Sequence, residues 1–254
     1  MKTLIYIINV LLLMSCGEER VYTTGSYGTL KSFTEKQHYV DHKTSETYIS
    51  GDLSFGLHMQ DDSSFDDTKT IASLHIHRNA TGKFYNYYYG LGASLGAYRF
   101  KEGYKNLARK DKKASFYNVN FKSGINYTYT RPKIDYRFLG VEVAYNNEFG
   151  DYQKKIADLA KVNDPELIVV NQKSFFTYHL FSEYVFKLSS EEALTVGFYA
   201  GGLIGIKETD MFDGDNAFRG FTVGVRLKKH SLNFIYELGQ NEIRSAKLGL
   251  TYQL

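Results

Sequence analysis

From residue 46 to Leu254 the chain consists of segments in which apolar side chains alternate with polar ones or with glycine. In the last of them Ala246, Leu248, Leu250, Tyr252 and Leu254 hold one set of positions, and Ser245, Lys247, Gly249, Thr251 and Gln253 hold the other. Successive side chains of a strand point to opposite faces, so a period of two predicts a strand with one apolar face and one small or polar face. Counting the segments with this period gives about ten strands. They cover residues 46–59, 69–79, 83–100, 114–130, 133–149, 172–188, 193–207, 218–229 and 231–240, and the tenth ends at Leu254. The first sets Leu53, Phe55 and Leu57 against Asp52, Ser54 and Gly56, and the third sets Tyr87, Leu91 and Leu95 against Tyr88, Gly90 and Gly92. In the fifth, Leu139, Val141, Val143 and Tyr145 form the apolar face, with Phe138, Gly140 and Glu142 opposite.

The connections choose between architectures. Those after the second, fourth, sixth and eighth strands are tight, at 80–82, 131–132, 189–192 and 229–230, whereas those after the first, third, fifth and seventh read as long and charged. A sandwich has no reason to sort its loops by parity, but a transmembrane barrel has short turns at one rim and longer loops at the other. Tyr85, Tyr127, Tyr129, Tyr145, Tyr178 and Tyr184 near strand ends fit the aromatic girdles of such a barrel. The predicted fold is therefore all-β: a single antiparallel up-and-down transmembrane β-barrel over residues 46–254. One short helix is predicted in an extracellular loop at 152–162, with Ile156, Leu159, Ala160 and Val162 on one side and Pro165 as its stop. It would cap the barrel mouth or lie on a partner.

Composition agrees. The 22 Tyr and 18 Phe with only 2 Pro favour strands. A mean hydropathy of -0.36 is compatible with a membrane barrel, since only alternate residues meet lipid. A net charge of +3 is too small to imply a nucleic-acid partner. At the N-terminus, Lys2 precedes an apolar stretch from Leu4 to Met14 that is too short to span a bilayer, so residues 1–15 read as a signal peptide. Leu13, Met14, Ser15 and Cys16 resemble the lipobox of bacterial lipoproteins, which implies lipidation of Cys16; a simple secretory signal cut nearby is the alternative. Gly17, Glu18 and Glu19 resemble the surface-export signal of Bacteroidota lipoproteins. Residues 16–45 are polar with scattered aromatics and no alternation, and read as a tether or plug segment.

The inner face is rich in glycine, including Gly90, Gly92, Gly96, Gly124, Gly140, Gly201, Gly220 and Gly224, which leaves room for Tyr88, Phe138, Phe175, Phe181 and Tyr199 in a filled lumen. A turn centred on Pro132 would set Lys122 opposite Glu142, and a turn at Asn241 and Glu242 would let Glu237 face Lys247. Buried charges need partners, so these pairs are structural filler or, alternatively, a selectivity constriction or proton path.

No catalytic set is evident. His75 and His77 share the inner face, but His58 and His179 sit on other strands with no inward acid evident beside them, so no metal site is predicted. Outer-membrane proteases of the omptin type carry acids and histidines at the rim. Asp61, Asp62, Asp66 and Asp67 fall in a rim loop with no histidine facing them, and read as a solvated acidic loop. Asp210, Asp213, Asp215 and Asn216 have the look of a calcium loop, but the ligand series is incomplete and they read as a plain turn. Lys101, Lys105, Arg109, Lys110, Lys112 and Lys113 either meet lipopolysaccharide phosphates or are solvated.

The strand region resembles small Gram-negative outer-membrane β-barrels, and the lipobox makes the chain similar to a lipidated one. That resemblance implies an outer-membrane location, contact with outer-membrane lipid and lipopolysaccharide, and no cofactor. The expected function is a non-catalytic structural or interaction subunit of an outer-membrane assembly, with another outer-membrane protein as partner. The alternatives are a narrow pore for small solutes or ions, a barrel enzyme, or a soluble lipid-anchored barrel that binds a ligand.

Overall fold

Each alternating segment pairs with the next, and the last pairs with the first. In the computed structural model residues 20–27, 30–32, 34–36, 43–61, 64–100, 113–162, 167–204, 217–239 and 243–254 are described. In chain order the elements are β1 (Arg20–Tyr22), β2 (Thr44–Asp61), β3 (Ser64–Thr81), β4 (Tyr85–Arg99), β5 (Lys113–Thr130), β6 (Ile134–Phe149), α1 (Asp151–Leu159), β7 (Leu167–Val169), β8 (Ser174–Lys187), β9 (Glu192–Ile204), β10 (Ala217–Leu227), β11 (His230–Gly239) and β12 (Ile243–Gln253). Ten of the strands form a closed antiparallel up-and-down barrel, sealed where β12 pairs with β2 from Ile243↔His58 to Gln253↔Tyr48. The two short strands β1 and β7 form a separate parallel pair.

The outer wall is apolar. Leu53, Phe55, Leu91, Leu95, Phe121 and Ile125 are exposed on it, while Ser50, Asp52, Ser54, Asn118, Lys122 and Asn126 are buried inside. This inverts a soluble barrel and is the arrangement that hydrocarbon requires, because closure leaves no unpaired strand edge facing lipid. Exposed Tyr85, Tyr127, Tyr129 and Tyr184 ring the short-turn end, and Tyr117, Tyr145 and Phe149 lie toward the other.

Four inward aromatics are accommodated by glycine directly across the strand pair: Tyr88↔Gly124, Phe116↔Gly96, Phe181↔Gly140 and Tyr199↔Gly220. A Cβ on any of these glycines would run into the facing ring. The inner glycines are thus the space into which the rings fold, and the wall itself narrows the lumen.

Three expectations are corrected. The connection after the first barrel strand is not a long loop: β2 and β3 stay paired out to Asp61↔Ser64, with register shifts near Met59. Beyond the membrane both faces of a ribbon tolerate polar residues, so alternation fades while pairing continues. Asp61, Asp66 and Asp67 therefore lie on strands; Asp67 is buried and accepts a hydrogen bond of 2.7 Å from the Tyr98 hydroxyl, so it is not part of a solvated loop. Asp62 lies outside the described residues.

The second correction is a β-bulge in β6. Pairing passes from Ile125↔Val141 to Tyr127↔Phe138 on one side and from Gly140↔Phe181 to Arg137↔Glu183 on the other, and Leu139 takes a positive φ of 52. The extra residue sends both Phe138 and Leu139 to lipid, so Phe138 is not in the lumen. It also turns Asp135 and Arg137 inward, where both are buried. Third, α1 ends at Leu159, which leaves Ala160 exposed at its C-terminus; the buried face is Tyr152, Gln153, Ile156 and Leu159. That face packs on Tyr22, Tyr98, Phe100 and Phe116, so α1 caps the barrel mouth.

Candidate functional site in the lumen

The N-terminal segment runs through the barrel, and its contacts change level in step with its sequence. At the long-loop rim, β1 pairs with β7, Tyr22 O accepts from Val170 N at 2.8 Å, and Thr23 O accepts from the Tyr152 hydroxyl at 2.9 Å. Just below, Gly25 and Ser26 sit in a turn closed by Tyr27 N donating to Thr24 O at 3.1 Å. The Glu148 carboxylate, near the upper end of β6, accepts from Gly25 N at 2.7 Å, Ser26 N at 2.9 Å, Ser26 Oγ at 2.8 Å and Gln153 Nε2 at 2.6 Å.

Midway down, Lys31 Nζ lies 3.2 Å from Glu142 Oε1, and its carbonyl accepts from Lys247 Nζ at 2.7 Å. Lys122 Nζ donates to Ser32 Oγ. Toward the short turns, Lys36 Nζ donates to both oxygens of Glu183 at 2.8 Å, and Arg137 Nη2 donates to Lys36 O at 2.7 Å. His77 Nε2 is 3.1 Å from Glu35 O. Lys36 also stands 4.7 Å from the centre of the Phe181 ring, so its charge is met by a π face as well as by a carboxylate.

The sense of these contacts follows from charge. The buried wall carries Asp52, Asp67, Asp135, Glu142, Glu148 and Glu237, with Glu183 also facing the lumen, against Lys69, Lys122, Arg137, Arg226 and Lys247. With Lys187, which lies 2.7 Å from Asp135, counted among the bases, that set is acidic by one charge, and the segment, with Lys31 and Lys36 against Glu35, is basic by one. An uncompensated charge in a desolvated lumen costs several kcal/mol, about 3–5 when one partner of a buried pair is removed. Segment and wall are therefore electrostatically one unit. Outside the spanning strands, burial pushes the Tyr152 phenol well above its ordinary pKa, with the Glu148 charge adding to the effect, so it stays a neutral donor to Thr23 O.

The four predicted pair residues all sit inside, but in other registers. Glu142 lies opposite Gly124 and Lys122 opposite Ala144. The turn at Pro132 is one residue longer than expected and the Leu139 bulge adds another, which displaces the pair by two. Glu142 accepts from the Tyr88 hydroxyl at 2.6 Å and lies 3.3 Å from His179 Nδ1. Likewise Glu237 lies opposite Ser245 and Lys247 opposite Ile235, because β11 and β12 turn one residue earlier. Glu237 accepts from the Tyr199 hydroxyl at 2.7 Å, and Lys247 Nζ is 3.8 Å from Asp52 Oδ1.

The histidines do have inward acids beside them, contrary to expectation: His75 Nε2 is 3.4 Å from Asp52 Oδ2, and His179 adjoins Glu142. His77 instead stacks on Tyr48, with ring centres 5.1 Å apart. Among the described residues no three His, Cys, Asp or Glu side chains converge on a point where a metal would bind. Cys16 lies outside the described residues, as do Lys101, Lys105, Arg109, Lys110 and Lys112 and the acidic stretch at Asp210, Asp213, Asp215 and Asn216. Lys113 opens β5 and is exposed. Lys31, Lys36, Arg137 and Glu183, which join segment to wall, were not singled out by the sequence pattern. Glu148 and Glu183 do fall on inward positions of their strands; Arg137 was hidden by the bulge.

No protein-family model and no curated protein matches the chain. Among solved structures, it is similar to the transport unit of the autotransporter AIDA-I from Escherichia coli, with 9% identity over 90% of this chain and 95% of that one and a TM-score of 0.42. The translocator domain of the autotransporter NalP from Neisseria meningitidis gives 10% identity over 83% and 88%, with a TM-score of 0.43. An outer membrane channel from Pseudomonas putida F1 gives 8% over 82% and 96%, with a TM-score of 0.39. A likeness at this level is one of architecture and identifies no activity.

Proposed function

We propose that this chain is an outer-membrane β-barrel lipoprotein, lipidated at Cys16, whose lumen is closed by its own N-terminal segment. It acts as a non-catalytic structural or interaction subunit of an outer-membrane assembly. The observation that carries this reading is the segment of residues 20–36, bound from rim to rim by charge-matched contacts. Among the described residues, a depression of about 460 Å³ opens on the outer wall at Leu139, Val141, Leu180 and Phe198, whereas two cavities that lie beside the segment are small. One of about 40 Å³ is lined by Lys36, Arg137 and Glu183, and one of about 20 Å³ by His75, Asn118 and Lys247. Such volumes hold a water or two rather than a substrate. Recognition then falls to the long-loop face, with another outer-membrane protein as partner and lipopolysaccharide phosphates meeting Lys101, Lys105, Arg109, Lys110, Lys112 and Lys113. Purification in mild detergent is expected to yield a second outer-membrane protein, and planar-bilayer recording of the intact chain is expected to show no conductance. Recovery of the single chain alone would remove the assembly role. A Cys16→Ser chain that stayed soluble without detergent would remove the membrane location.

A second reading, a narrow pore, draws on one observation: the segment is held by hydrogen bonds and ion pairs along its length, and its withdrawal would leave a charged passage. Opening events in planar-bilayer recording of the intact chain separate the two.

A further inference from the structure

We infer that the barrel holds its own N-terminal segment across the membrane, so that the chain preceding Arg20 is displayed on the long-loop face, opposite the side from which β2 begins. The inference rests on the proposed outer-membrane reading only for calling that face the cell surface.

The direction is fixed by register. Thr44 pairs with Thr81, next to the tight connection between β3 and β4, so β2 starts at the short-turn end. Going backwards, Lys36 binds Glu183, which lies on the short-turn side of β8, and Glu35 meets His77 of β3 at the same end. Lys31 then meets Glu142 at mid-height. Ser26 accepts from Asn118 Nδ2 at 3.2 Å, and Glu148 binds the same residue; Asn118 and Glu148 are themselves paired across β5 and β6. The Tyr27 hydroxyl donates to Ala217 O at 3.1 Å, at the first residue of β10 beside the long connection. Finally Arg20–Tyr22 pairs with Leu167–Val169, which belongs to the long connection between β6 and β8. Through Lys36, Lys31, Ser26 and Arg20–Tyr22 the path moves one way, from turns to loops, and only the long side chains of Lys122 and Tyr27 reach past their level, to Ser32 and Ala217.

Chain length then limits where Cys16 is found. Three residues lie between it and Arg20, four Cα steps with a reach of at most about 14 Å fully extended. The hydrocarbon layer alone is about 30 Å thick. Cys16 cannot return to the short-turn face while residues 20–36 keep their contacts. An acyl group on Cys16 would therefore enter the leaflet on the long-loop side, the outer leaflet if the loops face outward. The acidic pair Glu18 and Glu19 would lie on that same side. The barrel thus serves as the conduit that keeps its own anchor on the far side of the membrane.

The test places one short epitope, in separate full-length chains, between Glu19 and Arg20, between Asp213 and Gly214 in a long loop, and between Lys228 and Lys229 in a short turn. Heat-modifiable migration on gels establishes that each chain folds. Antibody labelling of intact cells is expected to reach the N-terminal epitope as fully as the loop epitope, and to reach the turn epitope only after permeabilisation. An N-terminal epitope that behaves like the turn epitope, while the loop is labelled, overturns the threading and leaves the barrel's orientation intact. A hidden loop with a labelled turn overturns the outward orientation, and the N-terminal epitope then still reports whether it shares the loop's side. Should the insertion at Arg20 prevent folding, a disulfide formed between Ser26→Cys and Asn118→Cys gives the same information, since loss of that cross-link in a folded barrel contradicts the path.

Discussion

Glu148 shows how much one side chain can organise. Its carboxylate accepts from two consecutive backbone N–H groups, one hydroxyl and one amide, all within 2.9 Å, in a position with no access to solvent. Glu148→Gln keeps the shape but turns an NH₂ toward donors and removes the charge. Hydrogen bonds to a charged group contribute about 1.5–3 kcal/mol each, so the segment should loosen at its upper end. The expected result is a lower temperature of heat-modifiable conversion and new protease cleavage within residues 20–30; unchanged protection would show that Glu148 does not hold the turn. Lys228 offers a change of opposite sign. It takes a φ of 56 in the tight turn joining β10 and β11, a conformation glycine adopts without cost. Lys228→Gly should raise the conversion temperature, by relief of about 1 kcal/mol of backbone strain. At this scale the inner glycines were legible in the sequence, because a glycine on the lumen face predicts a large neighbour, and four of them have one directly opposite. Lys31 and Lys36 were not. They lie in a segment whose conformation is set by the wall around it rather than by a periodic pattern of its own.

Among the elements, β6 is where alternation misleads. The pair Phe138–Leu139 contains two successive apolar residues, and a strict period of two must put one of them in the lumen. The bulge instead sends both to lipid and reverses the faces below it, which brings Arg137 to Glu183 and Asp135 to within 2.7 Å of Lys187. The doublet was visible; its consequence for Arg137 was not, because a bulge and a wrongly assigned face look alike in one sequence. Deleting Leu139 should remove the extra residue and leave every other side chain of β6 on its present face, so the barrel should still form. Deleting Phe121 from the regular strand β5 should fail, because one half of that strand must then turn Lys122, Gly124 and Asn126, or Asn118 and Asn120, to lipid. Heat-modifiable migration of the two deletions side by side checks this, and equal tolerance would mean that Leu139 is not the extra residue. The extension of β2 and β3 past the membrane escaped the pattern for a related reason. Once both faces meet water, pairing no longer needs alternation, and residues 60–61 and 64–68 read as loop while they lie on strands.

At the scale of the whole molecule, the barrel closes around an irregular segment of its own chain. The seam between β12 and β2 joins the last strand to the residues that follow the lumen segment, so closing the barrel and enclosing residues 20–36 are parts of one assembly problem. The segment's excess of one positive charge, from Lys31 and Lys36 against Glu35, and the described wall's excess of one carboxylate make each half costly without the other. Removing residues 20–36 therefore has an outcome that depends on what the wall does when left alone. Loop connections and inner-face glycines already implied a closed shell, and the deletion asks whether the shell alone is a channel. A folded chain lacking residues 20–36 should conduct in planar bilayers where the intact chain does not. It should prefer cations, because Glu142 loses Lys31 and Glu183 loses Lys36, keeping only the longer contact to Arg137, while Lys247 retains Asp52 in the wall. Adding Glu142→Gln and Glu183→Gln to that deletion should reduce the cation preference without closing the passage. A folded deletion chain that stays silent would mean the ring-filled wall is closed by itself, with Tyr88, Phe181 and Tyr199 collapsing into the vacated space. The same silence would remove the pore reading and leave the segment with the single task of crossing the membrane.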